Sequence, residues 1–317
     1  MKINDIYNYV VEKGKEKDPR GNEAVARDLA QAQKKYDALK TEERKEFDLD
    51  TLTNPYSDTR VLYGDPDTEI KRILAGIDME VGEVLLADRL EDKGSKIDLI
   101  ISHHPEGKAL SALHGVMHLQ EDIMARYGVP INVAEGVMAP RISEVKRALL
   151  PANHYRAVDA AKLLGLPIMS AHTVADNQVT TYLQELMDQN TPDTLGDVVK
   201  LLKDIPEYAQ AVEYNAGPVI VVGSKGRRTG KLLVDMTGGT GGPDTIFAKL
   251  SQAGVGTLLV MHIGEKSRKE AEKNHINVII AGHMASDSVG MNLLLDGLEG
   301  QGIEILTCSG LMRYKRN

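Results

Sequence analysis

From residue 59 onward, short apolar runs alternate with segments of helical spacing, and this alternation restricts the fold more than any other feature of the sequence. Runs that are apolar throughout are typical of strands covered on both faces. Helices between the strands supply that cover, which predicts an α/β fold with mostly parallel sheets. The predicted strands are 73–77, 97–101, 131–134, 167–171, 219–222, 232–236, 257–261, 278–281 and 304–307.

Residues 1–48 have a different composition, rich in Lys, Glu, Ala and Gln. Ile6, Tyr9, Val10 and Lys13 recur at helical spacing, and a second segment repeats this spacing more weakly at Ala24, Leu29, Ala32, Tyr36 and Leu39. Two helices divided near residues 19–21 are therefore predicted. The segment DTLTNPYSD at 50–58 is typical of a turn cluster. We therefore expect a helical N-terminal extension before the α/β region.

A weak internal echo divides the α/β region in two. KIDLIISHHPEG and INVIIAGHMASD are each a buried strand followed directly by histidine, and TLLVMHIGEK is a third variant. Proline residues flank a predicted helix at 195–203, where we place a boundary. The prediction is two related three-layer α/β domains, with the extension at 1–57, the first domain at 58–205 and the second domain, which completes a site shared by both, at 206–317.

Composition excludes several classes of partner. The chain has 317 residues and a formal net charge of −8, which gives no general attraction for nucleic acids. The single cysteine, Cys308, excludes an intrachain disulfide and favours a reducing compartment. No apolar stretch is long enough for a membrane span, and the first residues do not resemble a signal peptide. We expect a cytoplasmic protein without membrane partners.

Three polar clusters follow predicted strands directly. His103 and His104 follow the run 97–101, His172 and Asp176 follow the run 167–171, and His283 and Asp287 follow the run 278–281. Because ligands of open α/β sheets bind beyond the carboxyl ends of the strands, clusters at these ends can converge.

The residue types in these clusters suit metal ions. Imidazole and carboxylate ligands without cysteine favour Zn, Mn, Fe or Co. A spacing of four places both side chains on one side of a first helical turn, and a carboxylate can bridge two cations. The prediction is a site for two divalent metal ions per subunit, of Zn, Fe or Mn, built from these three clusters.

The motifs ISHHPEG, AHTVAD and AGHMASD resemble the three signatures of the Nif-three-like family of dinuclear-metal proteins, which includes GTP cyclohydrolase I type 2-like members. VLYGDPDTEIKRILAGID resembles the opening strand region of that family. The resemblance implies two α/β domains, a toroidal homohexamer, and His172 as a neighbour that orients a ligand. The metal ligands that it implies are His103, His104, Asp176, His283 and Asp287. The sequence departs from the family at Asp287, where Glu is common, at His262, where a small residue is more frequent, and before residue 58.

Further candidate residues lie outside the three clusters. Glu106 and Glu265 are candidates for proton transfer, and His262 is a candidate neighbour of the metal ligands. The segment GSKGRRTGK, followed by TGGTGGPD, fits neither a P-loop nor a dinucleotide fingerprint. Its backbone N–H groups, near Arg227, Arg228 and Lys231, suit an anion site, and a solvated turn explains it equally well.

Two functions fit these features. The first is a metal-dependent hydrolase acting on a nucleotide or another phosphate-bearing substrate, which the family resemblance makes GTP cyclohydrolase-like. The alternative is a metal-binding oligomeric scaffold or regulatory partner without catalysis. The sequence contains no clear general acid or nucleophile that decides between them.

Overall fold

The computed structural model describes residues 1–316 as two β-sheets with helices on their faces. The strands are β1 (Thr59–Tyr63), β2 (Arg72–Gly76), β3 (Leu99–Ser102), β4 (Ile168–Ala171), β5 (Val219–Val222), β6 (Lys231–Asp235), β7 (Val255–Val260), β8 (Asn277–Ile280) and β9 (Glu304–Cys308). The first sheet has the order β1-β4-β3-β2-β9, and the second has the order β5-β8-β7-β6.

The helices connect and cover these strands. They are α1 (Ile3–Glu16), α2 (Asn22–Ala38), α3 (Thr41–Arg44), α4 (Val81–Asp92), α5 (Gly107–Ser111), α6 (Leu119–Arg126), α7 (Ile131–Leu149), α8 (Arg156–Leu164), α9 (Thr173–Asn190), α10 (Leu195–Lys203), α11 (Pro206–Glu213), α12 (Ile246–Gln252), α13 (Glu265–Lys273) and α14 (His283–Glu299). Two 3₁₀ turns lie at Leu49–Leu52 and Leu113–His118. None of the helices described for residues 1–316 has the length and apolar character of a membrane span.

The two sheets share one strand order. In each sheet the first strand in sequence, β1 or β5, pairs antiparallel with the fourth, and the remaining pairs are parallel. The α/β class with mostly parallel sheets and two similar domains is therefore confirmed. Strand β9 adds a fifth, parallel partner to β2 in the first sheet. The boundaries at 57/58 and 205/206 remain predictions.

Both faces of each sheet are buried, as apolar strands require. In the first sheet Ile73 and Ala75 pack toward α1, α9 and α14, whereas Leu74 packs on the other face with α4 and α8. In the second sheet Leu233 faces α6, α7 and α12, whereas Val234 faces α9, α10 and α14. Helices α9 and α14 therefore form a layer between the two sheets.

The two central helices cross in very close contact. A Cβ atom placed on Gly290 of α14 would lie 2.3 Å from the carbonyl oxygen of Ala175 on α9. This separation is shorter than any real van der Waals contact, so the crossing requires a residue without a side chain. The contact fixes the relative position of the first turns of α9 and α14.

One predicted strand is wrong. Residues 131–134 form the first turn of α7, which continues to Leu149. Ala134, Met138, Ile142 and Val145 are buried along one face of α7. This helical period extends over 12 residues, from Ala134 to Val145, and decides the structure, whereas a run of four apolar residues fits a strand and a helix equally. The sequence prediction also missed the edge strand β1.

The N-terminal extension agrees better with its prediction. Helices α1 and α2 are separated at residues 17–21, and the segment after them contains the short turn Leu49–Leu52. Helix α1 packs its buried residues Ile3, Ile6 and Val10 against the first sheet and α14. The extension is thus part of the core around the first sheet.

Candidate metal centre

The three polar clusters lie together at the carboxyl ends of strands from both sheets. His103 and His104 follow β3, His172 lies between β4 and α9, and His283 begins α14 directly after β8. Asp176 and Asp287 lie in the first turns of α9 and α14, four residues after a histidine in each case. The crossing of these helices brings the two carboxylates to the same place.

Asp287 lies between two groups of candidate ligands, and one of its carboxylate oxygens faces each group. Its Oδ1 lies 3.5 Å from Nε2 of His103, which is itself 3.5 Å from Oδ1 of Asp176. Its Oδ2 lies 3.5 Å from Nε2 of His104 and 3.6 Å from Nε2 of His283. Within each group the candidate ligand atoms lie within 4.8 Å of one another. Two adjoining cation positions would therefore share one carboxylate.

The atoms that face these positions have no other partner. Nε2 of His103, Oδ1 of Asp176 and both oxygens of Asp287 are buried and form no hydrogen bond within residues 1–316. An unsatisfied buried polar group costs about 1–3 kcal/mol, and a charged group costs more. Native proteins satisfy almost all such groups, so this convergence fits bound cations. The donor set of imidazoles and carboxylates is one that divalent metals accept.

The opposite ring nitrogens are held from outside the cluster. Nδ1 of His104 donates to Asp78 at 2.7 Å, and Nδ1 of His172 donates to the buried Asp58 at 2.8 Å. Nδ1 of His103 lies 3.3 Å from the carbonyl oxygen of Ala171. These bonds place the proton on Nδ1 and leave the lone pair of Nε2 toward the cluster, as metal-binding histidines require.

His172 lies closer to the other ligands than a purely supporting residue would. Its Nε2 lies 3.7 Å from Oδ2 of Asp176, and its ring centroid lies 5.0 Å from that of His103. A ring nitrogen of His172 falls within 4.8 Å of those of His103 and His104. The prediction that His172 only orients a ligand stays untested, and the geometry also allows direct binding.

The two carboxylates of the cluster, Asp176 and Asp287, differ in pKa. Burial favours the neutral form of Asp287, but His103, His104 and His283 outweigh burial and hold its pKa well below the ordinary range. Burial raises the pKa of Asp176 to about 6 against the opposing influence of His172 and His103. Asp287 is therefore the carboxylate that stays ionised throughout the neutral and mildly acidic range.

The cluster opens into a cavity of about 320 Å³. His104, Asp176, His283 and Asp287 line it together with the glycine-rich segment 239–242. Gln120 donates from Nε2 to the carbonyl oxygens of Gly238, at 2.8 Å, and Thr240, at 2.6 Å, and so fixes this segment. Gly238 has φ +89°, a conformation that favours glycine.

The predicted anion-binding side chains lie elsewhere. Lys231 begins β6, and the other end of that strand, at Asp235, lines the cavity. The ammonium group of Lys231 donates to the carbonyl oxygen of Tyr127 at 2.6 Å. Arg227 and Arg228 come shortly before Lys231 in the sequence, at the same end of β6. A strand of five residues spans about 13 Å, so these side chains are not brought together with the cluster.

The two glutamates predicted for proton transfer also lie outside the cavity. Glu106 precedes α5, where burial and the neighbouring Glu80 raise its pKa to about 7. Glu265 is the first residue of α13 and is exposed, with its carboxylate 2.8 Å from Arg268. His262, in contrast, lines the cavity, and its ring centroid lies 4.9 Å from that of His283.

Sequence reasoning missed Asp58, Gln120 and Asp235. Asp58 lay in a segment assigned to a turn, and only the fold brings it to His172, 114 residues away. Gln120 gave no signal, because its role depends on a contact with the distant glycine-rich segment. Asp235 gave a signal that was overlooked, namely a carboxylate within the apolar run LLVDM.

Asp78→Asn should weaken metal binding by about 10–100-fold, because the carboxylate that orients His104 and raises its basicity is lost. The measurement is a titration of the metal-free protein with Zn²⁺ or Mn²⁺. Glu121→Gln is the matched control, because it removes a similar exposed carboxylate–histidine contact, to His118 at 3.1 Å, outside the cluster. Equal affinities for both variants would contradict the role of Asp78.

Comparison with known proteins supports this description of the fold. Neither protein-family models nor curated proteins give a match. A NIF3 superfamily protein from Sphaerobacter thermophilus is similar with 28% identity and a TM-score of 0.72, over 82% of this chain and 94% of that chain. Reduced HcgD from Methanocaldococcus jannaschii is similar in fold, with 18% identity and a TM-score of 0.52, over 84% and 94% of the two chains. The chain has the fold of the NIF3 superfamily, which confirms the predicted resemblance to the Nif-three-like family.

Proposed function

We propose that this protein is a hydrolase that depends on two divalent metal ions and acts on a nucleotide or another phosphate-bearing substrate. The observation that carries the proposal is the convergence of buried Nε2 and carboxylate atoms without partners on one cavity. Two cations would satisfy these atoms and make their burial favourable.

The two positions use different residues around a shared carboxylate. His103, Asp176 and Oδ1 of Asp287 would hold one cation, and His104, His283 and Oδ2 of Asp287 would hold the other. Cations bound in this way supply Lewis acidity and a nucleophile derived from water at neutral pH. Asp287 is shorter than the glutamate that is common in the family, and its two oxygens nevertheless face both groups.

The other residues of the chain would position the substrate and the ligands. Asp78 and Asp58 fix the rings of His104 and His172, so that little reorganisation is needed on binding. The glycine-rich segment 239–242 lines the same cavity as the cluster, and backbone N–H groups of such segments bind phosphate oxygens. We therefore propose this segment for the phosphate, in place of Arg227, Arg228 and Lys231.

We also propose that the protein is a homo-oligomer, with the toroidal hexamer implied by the family resemblance as the specific form. Exposed leucines on the helices that cover the outer face of the first sheet support association. Leu85 on α4 is 50% exposed, and Leu163 on α8 is 89% exposed. Exposed apolar patches of this kind are typical of interfaces between subunits.

The test is turnover by the metal-loaded protein of GTP and a panel of phosphoesters, with the metal content and the mass in solution measured on the same sample. We expect turnover that stops on chelation, resumes with Zn²⁺ or Mn²⁺, and falls at least about 100-fold in His104→Ala at unchanged mass and helicity. About two metals per chain without turnover of any substrate would favour the non-catalytic scaffold. No metal uptake would reject both functions.

A further inference from the structure

A second cavity, of about 350 Å³, adjoins the metal cluster. Gln120, Asp235, Thr240 and His262 line both cavities, so the two cavities lie side by side. The remaining walls of the second cavity, which we call the apolar chamber, are mainly aliphatic and aromatic. They include Ile123, Met124, Leu233, Ile246, Phe247, Leu250, Leu258, Val260 and Ile263.

Asp235 occupies a position in the apolar chamber where the strand pattern calls for an aliphatic side chain. Because side chains alternate along a strand, Asp235 shares a face of β6 with Leu233. On the neighbouring strand β7, Leu258 lies beside Leu233, and Val260 lies beside Asp235. All four side chains line the chamber. The one carboxylate therefore stands among three aliphatic neighbours on this face.

The carboxylate of Asp235 has no partner within residues 1–316, either as a hydrogen bond or as an ion pair within 4 Å. The other charged groups around the chamber are engaged, since Arg141 pairs with Glu144 and contacts the carbonyl oxygen of Gly241. Burial raises the pKa of Asp235 to about 6. A partly buried carboxylate without a partner, set among aliphatic neighbours on a cavity wall, is a candidate for binding a ligand.

We infer that the apolar chamber binds a planar ring of the substrate and that Asp235 accepts hydrogen bonds from adjacent N–H groups on the edge of that ring. The inference depends on the proposed function only for the reaction at the cluster. Binding of a ring in the apolar chamber does not depend on it. A carboxylate accepts two parallel N–H donors from an amidine-like edge, and apolar walls favour an aromatic ring. The ring would lie in the chamber while a polar group of the same molecule reaches the cluster.

Benzamidine is a suitable probe, because it combines an aromatic ring with an amidinium fork. Its binding to the full-length protein can be measured by calorimetry, with and without bound metal. We expect saturable binding to the natural protein and at least about a 10-fold loss of affinity in Asp235→Asn, as charged hydrogen bonds are strong. Asp244→Asn is the matched control, since it removes the same charge from a nearby residue paired with Lys266.

The melting temperature separates binding from folding. Asp235→Asn should not lower it in the absence of ligand, because the partly buried carboxylate has no partner to lose. A lower melting temperature would show that Asp235 is structural, and equal benzamidine affinity in Asp235→Asn and the natural protein would overturn the inference. Absence of benzamidine binding at normal metal content would reject the chamber alone, whereas normal benzamidine binding without metal uptake would reject the proposed hydrolase alone.

Discussion

Asp287→Asn is expected to lower the affinity of both cation positions by more than about 100-fold, which exceeds the loss typical of residues that only support ligands. The substitution keeps the size of the side chain but removes the charge, and it exchanges an oxygen acceptor for an NH₂ donor. Because Oδ1 and Oδ2 of Asp287 face different groups, one change affects both positions. Within residues 1–316, Asp287 is the one residue common to the group of His103 and Asp176 and the group of His104 and His283.

The measurement is the number of Zn²⁺ or Mn²⁺ ions bound per chain after gel filtration. We expect about two in the natural protein and fewer than one in Asp287→Asn. Asp287→Glu restores the residue common in the family and should retain both ions. Asp204→Asn, on an exposed residue at the end of α10, controls for the change in net charge. Two ions retained by Asp287→Asn would exclude a shared carboxylate.

Gly290→Ala is expected to lower the free energy of unfolding by about 1–3 kcal/mol, in spite of the better helix propensity of alanine. The new methyl group would lie 2.3 Å from the carbonyl oxygen of Ala175, a backbone atom that moves only if α9 moves. Asp287 lies one turn earlier on α14 and Asp176 follows Ala175 on α9, so separation of the helices should also weaken metal binding.

The matched control for this prediction is Gly136→Ala in the interior of α7. A Cβ atom at Gly136 meets nothing within 4 Å, so only the helix propensity changes. We expect Gly136→Ala to raise the free energy of unfolding by about 0.5–1 kcal/mol in denaturant titrations. If both alanine variants were equally stabilised, the close crossing of α9 and α14 would not be present in solution.

The sheets could be predicted because their strands are apolar on both faces, which leaves few alternatives for runs such as 97–101 and 278–281. The convergence of the histidines and aspartates followed from a topological rule, since strand ends of parallel sheets meet at one edge. The short run at 131–134 was misassigned, because four residues do not distinguish a strand from a helix that continues for 15 more.

Residues that act through distant contacts could not be found in the same way. Asp58 reaches His172, and Gln120 reaches Gly238, only after the sheets have assembled. Anion binding by Arg227, Arg228 and Lys231 stays a prediction, and these residues lie at the end of β6 opposite to the one that lines the cavity. Asp235 is the exception, because a carboxylate within LLVDM already conflicts with the apolar pattern of its strand.

The central layer formed by α9 and α14 has a consequence for how the chain denatures. Val174 and Leu294 belong to the core of the first sheet, whereas Val179 and Val289 belong to that of the second. Melting of either sheet would expose apolar surface on helices that the other sheet still needs, so the two halves share one cooperative transition. Opening of the cluster is then coupled to loss of structure throughout the molecule, and bound metal would protect slowly exchanging amides in both sheets.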